Sequence, residues 1–165
     1  MTVLIRPYRE SDRPALRDLT VDAFQGVSID HNIDDLLGPA AARDWRWRKV
    51  RHIDLDIDTP GGELAVAEES ETGRAVGYVT MLFDQETRIG WIHNLAVDGA
   101  ARNQGLGRRL LEHALSRFRA EGMIVARIET LEQNPVGRHL YPALGFREVA
   151  RQIHYAMDLR GPTAE

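Results

Sequence analysis

The sequence predicts an α+β domain, and three observations predict it. Three apolar runs of strand length, Glu63–Glu68, Ala75–Phe83 and Ile89–Val97, follow one another with only the short turns Glu71-Thr-Gly73 and Asp84-Gln-Glu-Thr87 between them. A helix follows the third run, with Leu106, Leu110, Leu111, Ala114, Leu115 and Phe118 on one face and Arg108, Arg109, Glu112, His113 and Arg117 opposite, until Gly122 ends it. Beyond that helix, Ile124–Thr130 alternates as a strand does, and a strand reached through a helical crossover lies parallel to the strand before it. An antiparallel meander ending in one parallel pair is therefore expected.

The remaining elements fit around this centre. Val3, Leu4 and Ile5 form a short strand stopped by Arg6-Pro7, and Ser11 or Asp12 caps a helix marked by Leu16, Leu19, Ala23 and Phe24. Residues 26–60 carry the weakest pattern: Ile33, Leu36 and Leu37 suggest a helical turn, Gly38-Pro39 breaks it, and Ala40 to about Ile53 reads as helix again. Asn134-Pro135 starts a short helix that ends by Gly145, and Arg147–Leu159 reads as a closing strand with Ile153, Tyr155, Met157 and Leu159 on one face. We expect one domain over residues 1–160 and a loose tail at 161–165.

Composition narrows the function classes. The 165 residues contain no cysteine, so neither disulfides nor a thiolate nucleophile is available. A formal charge of −4 argues against a nucleic-acid partner, which demands a basic face. No segment has the apolar length of a membrane span or a signal sequence, and a cytoplasmic protein is expected. The six histidines show no metal-ligand spacing, so no metal site is expected. Lys49 is the only lysine.

The stretch most suggestive of chemistry is Val97-Asp-Gly-Ala-Ala-Arg102-Asn-Gln-Gly105-Leu-Gly107-Arg-Arg-Leu110. A strand ends, a polar turn follows, and glycines open a helix whose unpaired N–H groups and dipole attract phosphate. A Walker loop fails because no Lys-Ser/Thr follows Gly107, and a dinucleotide fingerprint fails because Leu110 stands where a third glycine belongs. Val97-x4-Arg102-x2-Gly105-Leu106-Gly107-x2-Leu110 instead resembles the acyl-coenzyme A signature of the GNAT N-acetyltransferase superfamily. Asn134-x2-Gly137-x2-Leu140-Tyr141-x2-Leu144-Gly145-Phe146 resembles the family's second block, in the expected order and at plausible spacing. The chain departs from the family at Gly99, often proline, at Gly137, more usually alanine, and at His93, where members often carry glutamate.

The resemblance implies a mostly antiparallel sheet of about six to seven strands with a splayed parallel pair in its middle, flanked by about four helices. It implies acetyl-CoA as co-substrate, with Leu95, Ala96 and Val97 against the pantetheine arm. Arg102, Asn103, Gln104, Gly105, Leu106, Gly107 and Arg108 would cradle the pyrophosphate, and Asn134 would touch the cofactor arm. The implied reaction is direct attack of a neutral amine on the thioester. Tyr141 matches the family's general acid, and Pro142 after it disfavours helical geometry there. An alkylamine of pKa near 10.4 needs about 4–5 kcal/mol to free its lone pair at pH 7, so a base matters more than an acid; Glu129 and His93 are the candidates.

The acceptor would be a small-molecule amine or a peptide N-terminus. Asp30, Asp34, Asp35, Asp54, Asp56 and Asp58 could form an acidic mouth for a cation, or serve as helix caps and solvated faces. Trp45 and Trp47, two apart, cannot share one helix face, which leaves one for a pocket wall or a homodimer contact. A non-catalytic acyl-CoA sensor is the alternative reading.

Overall fold

A computed structural model describes residues 2–161, so the expected tail falls outside the described residues apart from Gly161. The chain runs β1 (Val3–Pro7), α1 (Arg13–Phe24), α2 (Ile29–Leu37), α3 (Trp45–Asp58), β2 (Glu63–Glu69), β3 (Ala75–Asp84), β4 (Ile89–Val97), α4 (Leu106–Ala120), β5 (Val125–Ile128) and α5 (Pro135–Leu140). The sheet order follows the sequence, β1-β2-β3-β4-β5. The first four strands pair antiparallel and β5 lies parallel to β4. The meander and the parallel crossover are as the sequence predicts.

Two apolar layers form on the sheet because its strands alternate. Val76, Val79, Met81 and Ile92 meet Leu106, Leu110, Leu111, Ala114 and Phe118 of α4 on one face. On the other, Val66, Tyr78 and Ala96 meet Leu16 and Leu19 of α1 and Ile53 of α3. Leu110 and Leu111 are fully buried, and burial of such a side chain stabilises by about 2 kcal/mol. Arg6 of β1 is buried with Asp12, accepting no bond itself and donating twice to that carboxylate at 2.8 Å. Asp12 is thereby drawn away from capping α1, which has no side-chain cap bond.

Three expectations need correction. Among the described residues there are five strands, not six to seven, and five helices, not about four. The extra helix comes from residues 26–60, where two caps divide the chain: Ser28 accepts from the His31 N–H and Asp44 from the Trp47 N–H. Positive φ at Ala41 and Ala42 forbids a helix starting at Ala40, so α3 begins at Trp45 and continues to Asp58. Trp45 is consequently buried while Trp47 is 40% exposed.

The missing strand is Arg147–Leu159, which has no ladder pairing, with Tyr155 91% exposed. Period-two alternation describes which way side chains point but supplies no hydrogen-bonding neighbour. For the same reason the run 124–130 yields only Val125–Ile128, the length over which β4 stays beside it.

Lys49 is an unexpected part of the packing. It lies buried between α3 and the sheet, with Nζ donating to Asn94 Oδ1 at 2.8 Å and standing 3.9 Å from the Phe24 ring centroid. Burial pulls its pKa down from 10.5 to about 8 against the opposing pull of Asp30 and Asp56.

Two stability measurements follow. A Cβ on Gly90 would come within 2.5 Å of Phe118 Cγ, so Gly90→Ala is expected to destabilise by about 1–3 kcal/mol in urea unfolding. Between pH 8 and 10.5 the unfolded chain retains the Lys49 proton that the folded chain has released. Stability should therefore rise with pH across that window, by about 3 kcal/mol more in the parent than in Lys49→Met. Equal pH dependence in the two proteins would contradict a buried ammonium.

Candidate active site

The site begins with one extra residue in β4. Val79 faces Leu95 and Met81 faces Ile92, so two steps along β3 are matched by three along β4. The insertion is a β-bulge at His93 and Asn94, opposite Thr80, whose Oγ1 accepts the Asn94 N–H at 2.9 Å. Two consecutive side chains therefore turn toward α3, where alternation would send one away. Both reach the carboxylate of Asp56: His93 Nδ1 lies 2.7 Å from Oδ1, and Asn94 Nδ2 donates to Oδ2 at 2.6 Å. Thr80 Oγ1 donates to Oδ2 at 2.7 Å, completing the set.

The Asp56 side chain is 5% exposed, whereas that of His93 is 34% exposed. Burial pushes the Asp56 pKa upward, but hydrogen bonds from His93, Thr80 and Asn94 outweigh it and hold the carboxyl below the usual aspartate value. A carboxylate accepts only, so His93 carries its proton on Nδ1, and Nε2 is the ring nitrogen left without a partner among the described residues. The Trp91 ring, 4.2 Å away between centroids and nearly perpendicular, backs the imidazole.

At the same point β4 parts from β5. Parallel pairing runs from Ile89 and Val125 to Ile92 and Ile128 and stops there. From His93 to Val97 one edge of β4 keeps no strand beside it, so the main chain of Leu95 and Val97 faces an unpaired edge, while that of Ala96 turns to β3 opposite Tyr78. Asp98 then caps the turn Gly99–Ala101 by accepting the Ala100 N–H at 2.8 Å. Arg102 Nε donates back to the Val97 carbonyl at 3.2 Å, and Gln104 Nε2 to the Ala100 carbonyl at 3.1 Å. Asn103 has φ +60° and Gly105 φ +74°, so the chain enters α4 through a left-handed step with no side-chain cap. The first-turn amides of Leu106, Gly107 and Arg108 are the groups such a helix start leaves for an anion.

The glycines divide their work in a way the sequence did not predict. Gly105 answers the positive φ, whereas a Cβ on Gly107 would lie 3.3 Å from Leu140 Cδ2, so Gly107 lets α4 approach α5. Arg109 donates to the Val3 carbonyl at 2.7 Å and turns toward β1, away from the loop. Arg108 stays on the exposed side, 3.9 Å from Glu112.

Asn134 caps α5, with Oδ1 accepting from the Gly137 N–H at 3.3 Å and Nδ2 donating to Thr130 Oγ1 at 3.0 Å. A Cβ at residue 137 would stand 2.6 Å from that hydroxyl, which explains glycine in place of the family's alanine. Tyr141 is helical, φ −68° and ψ −47°, despite the proline after it: Pro142 occupies the first position of a 3₁₀ turn, where a missing N–H costs nothing. Its ring packs against the α4 layer and edge-on to Phe146, and its hydroxyl makes no hydrogen bond among the described residues. Burial pushes its pKa up to about 12.

Glu129 lies just past the end of β5, exposed and paired with Arg127, whose guanidinium lies 4.2 Å from the Trp91 ring centroid. The six aspartates do not form an open acidic mouth. Arg48 takes Asp30 and Asp34, Arg13 and Arg17 take Asp54, Arg13 takes Asp58, and His31 lies against Asp35. Only Asp56 joins the site. Its link to His93, like those of Thr80 and Asn94, escaped sequence reasoning because the partners lie far apart in the chain and share no periodicity.

Residues 14–146 match the Acetyltransferase (GNAT) family. The [Ribosomal protein bS18]-alanine N-acetyltransferase of Escherichia coli K12 is 36% identical over 64 residues, 39% of this chain and 43% of that protein. N-alpha-acetyltransferase 30 of Saccharomyces cerevisiae is 26% identical over 99 residues, 58% of this chain and 56% of that protein. The chain thus spans about half the length of the curated relatives it matches. The crystal structure of the E. coli ribosomal-protein-S18-alanine N-acetyltransferase superimposes with a TM-score of 0.68 at 20% identity, covering 90% of this chain and 80% of that one. A family match over most of the chain, on a sheet that bulges and splays where the signature turn begins, leads to one conclusion: this protein belongs to the GNAT acetyltransferase family.

Proposed function

We propose that the protein transfers an acetyl group from acetyl-CoA to a primary amine by direct attack in a ternary complex, with a protein or peptide amino terminus as the favoured acceptor. The observation that carries this reading is the parting of β4 from β5 beyond Ile92, directly ahead of the uncapped start of α4. Of Leu95, Ala96 and Val97, the free edge offers the pantetheine arm the amide and carbonyl of Leu95 and the amide of Val97, whose carbonyl is held by Arg102, while Ala96 contributes its place between them. Arg102, Asn103, Gln104, Gly105, Leu106, Gly107 and Arg108 form the turn that receives the pyrophosphate. Beyond its two capping bonds Asn134 keeps one Nδ2 hydrogen and one Oδ1 lone pair to offer the cofactor arm.

Energetics favour an α-amine. With a pKa of about 7.7–8.0 it needs only about 1 kcal/mol to lose its proton at pH 7, where a lysine-like amine needs about 4–5. A single imidazole suffices for the first task. The names of the bacterial and yeast relatives, which specify protein alanine and N-alpha acetylation, point to the same acceptor class. We assign the base to His93, whose Nε2 is unpartnered, in preference to Glu129, which is exposed and tied to Arg127.

Tyr141 serves as the acid. With its pKa near 12 it keeps its proton at neutral pH, and full transfer to a thiolate of pKa about 8.5 would run uphill by about 5 kcal/mol. Its contribution is therefore a hydrogen bond to the leaving sulfur, not complete protonation.

Thiol release from acetyl-CoA across a panel of peptides and small amines tests the reading. Turnover with a free α-amine is expected; tight acetyl-CoA binding with no transfer to any acceptor would favour a sensor instead. Tyr141→Phe should lower kcat about 10- to 100-fold while acetyl-CoA affinity holds. Glu129→Gln should change kcat less than threefold, and a hundredfold loss there would move the base to Glu129.

A further inference from the structure

We propose that Asp56 is a positioning residue for the transfer, fixing the tautomer and direction of His93 from the opposite layer of the fold; the inference rests on the assignment of His93 as base. Three features support it. Thr80 and Asn94 already bind Oδ2 and fasten α3 to the strand pair, so the bond from His93 to Oδ1 is surplus to that fastening. The bond is also made by a ring one-third exposed, whose orientation contributes little buried area. Finally, the bulge is what brings His93 to α3 at all, since in a regular strand His93 and Asn94 would face opposite sides of the sheet.

The consequence is chemical. A buried, hydrogen-bonded carboxylate against Nδ1–H leaves the lone pair on Nε2, stops the ring from flipping, and favours the imidazolium formed when Nε2 takes a proton from the attacking amine. In that step the N–H bond of the ammonium breaks, the amine keeps the electron pair that attacks the thioester carbon, and the proton resides on Nε2. Asp56 itself stays ionised.

Other charged groups surround the pair. His52 lies on α3 one turn before Asp56, with Asp30 of α2 beside it. Lys49 reaches the network through Asn94, and the guanidinium of Arg127 of β5 lies over the Trp91 ring. His52 is held below the ordinary histidine value, chiefly by burial and then by Lys49.

Asp56→Asn tests the inference, with His93→Ala in parallel. The amide keeps the size of the side chain but can donate to or accept from Nδ1, so it no longer dictates the tautomer. Asp56→Asn is expected to lower kcat about 100-fold with KM for acetyl-CoA within twofold, and to move the acidic limb of the pH–rate profile to lower pH, because an amide no longer favours the charged ring. If Asp56→Asn folds and keeps the parent kcat and limb while His93→Ala is impaired, the role of Asp56 is overturned and the base stands. If His93→Ala turns over like the parent, the assignment of the base falls, and this inference with it. Nitrogen NMR of the unsubstituted protein at pH 8 needs no variant: Nδ1–H should be the major form of His93, and a majority of Nε2–H would overturn the proposal.

Discussion

The site depends on a register constraint: β4 contains one residue more than β3 can match. That single residue turns Asn94 and His93 to the same side, gives Asp56 two of its three donors, and coincides with the last pairing between β4 and β5. A regular β4 would turn one of His93 and Asn94 away from the carboxylate and leave it a donor short. A buried carboxylate without donors costs several kcal/mol, so the bulge, the network and the packing of α3 stabilise one another. Where the resemblance would place glutamate on this strand, this chain has a histidine hydrogen-bonded to a carboxylate supplied from α3.

Legibility in the sequence follows the range of the interactions. The meander and α4 could be read because their periodicity is local and their turns carry glycine or aspartate where the backbone needs them. The glycine turn and the second block were legible as motifs, and the structure adds what their glycines do: Gly105 and Gly145 hold left-handed angles, and Gly107 and Gly137 admit neighbouring atoms. Residues 26–60 were obscure because two caps, Ser28 and Asp44, divide a stretch of weak amphipathicity and each fixes a helix start by a single hydrogen bond. Arg147–Leu159 shows the reverse failure, an alternating pattern with no strand beside it.

Charge was the least legible property. Six aspartates crowd residues 30–58, and the sequence alone gives no reason to separate them. Arginine geometry separates them in the fold: Arg13, Arg17 and Arg48 bridge neighbouring helices through five exposed or half-buried pairs, each worth at most about 1 kcal/mol. Asp56 differs by position alone, being the one that α3 presents to the bulge. The distinction is electrostatic as well as geometric, since the bridging aspartates are neutralised by cations whereas Asp56 is held ionised by neutral or titratable donors.

Under the proposed acetyl transfer, the burial of Lys49 has a further consequence for selectivity. An active site that holds an activated thioester endangers any nucleophilic amine near it, and self-modification is the simplest side reaction. This chain has a single lysine, and it is enclosed against Phe24 and Asn94, while arginine supplies the remaining positive charge. Guanidinium stays protonated at neutral pH and has no free lone pair to attack a carbonyl. The surface thus carries its ion pairs on groups inert to acyl transfer, and the folded protein presents no exposed side-chain amine to compete with its acceptor.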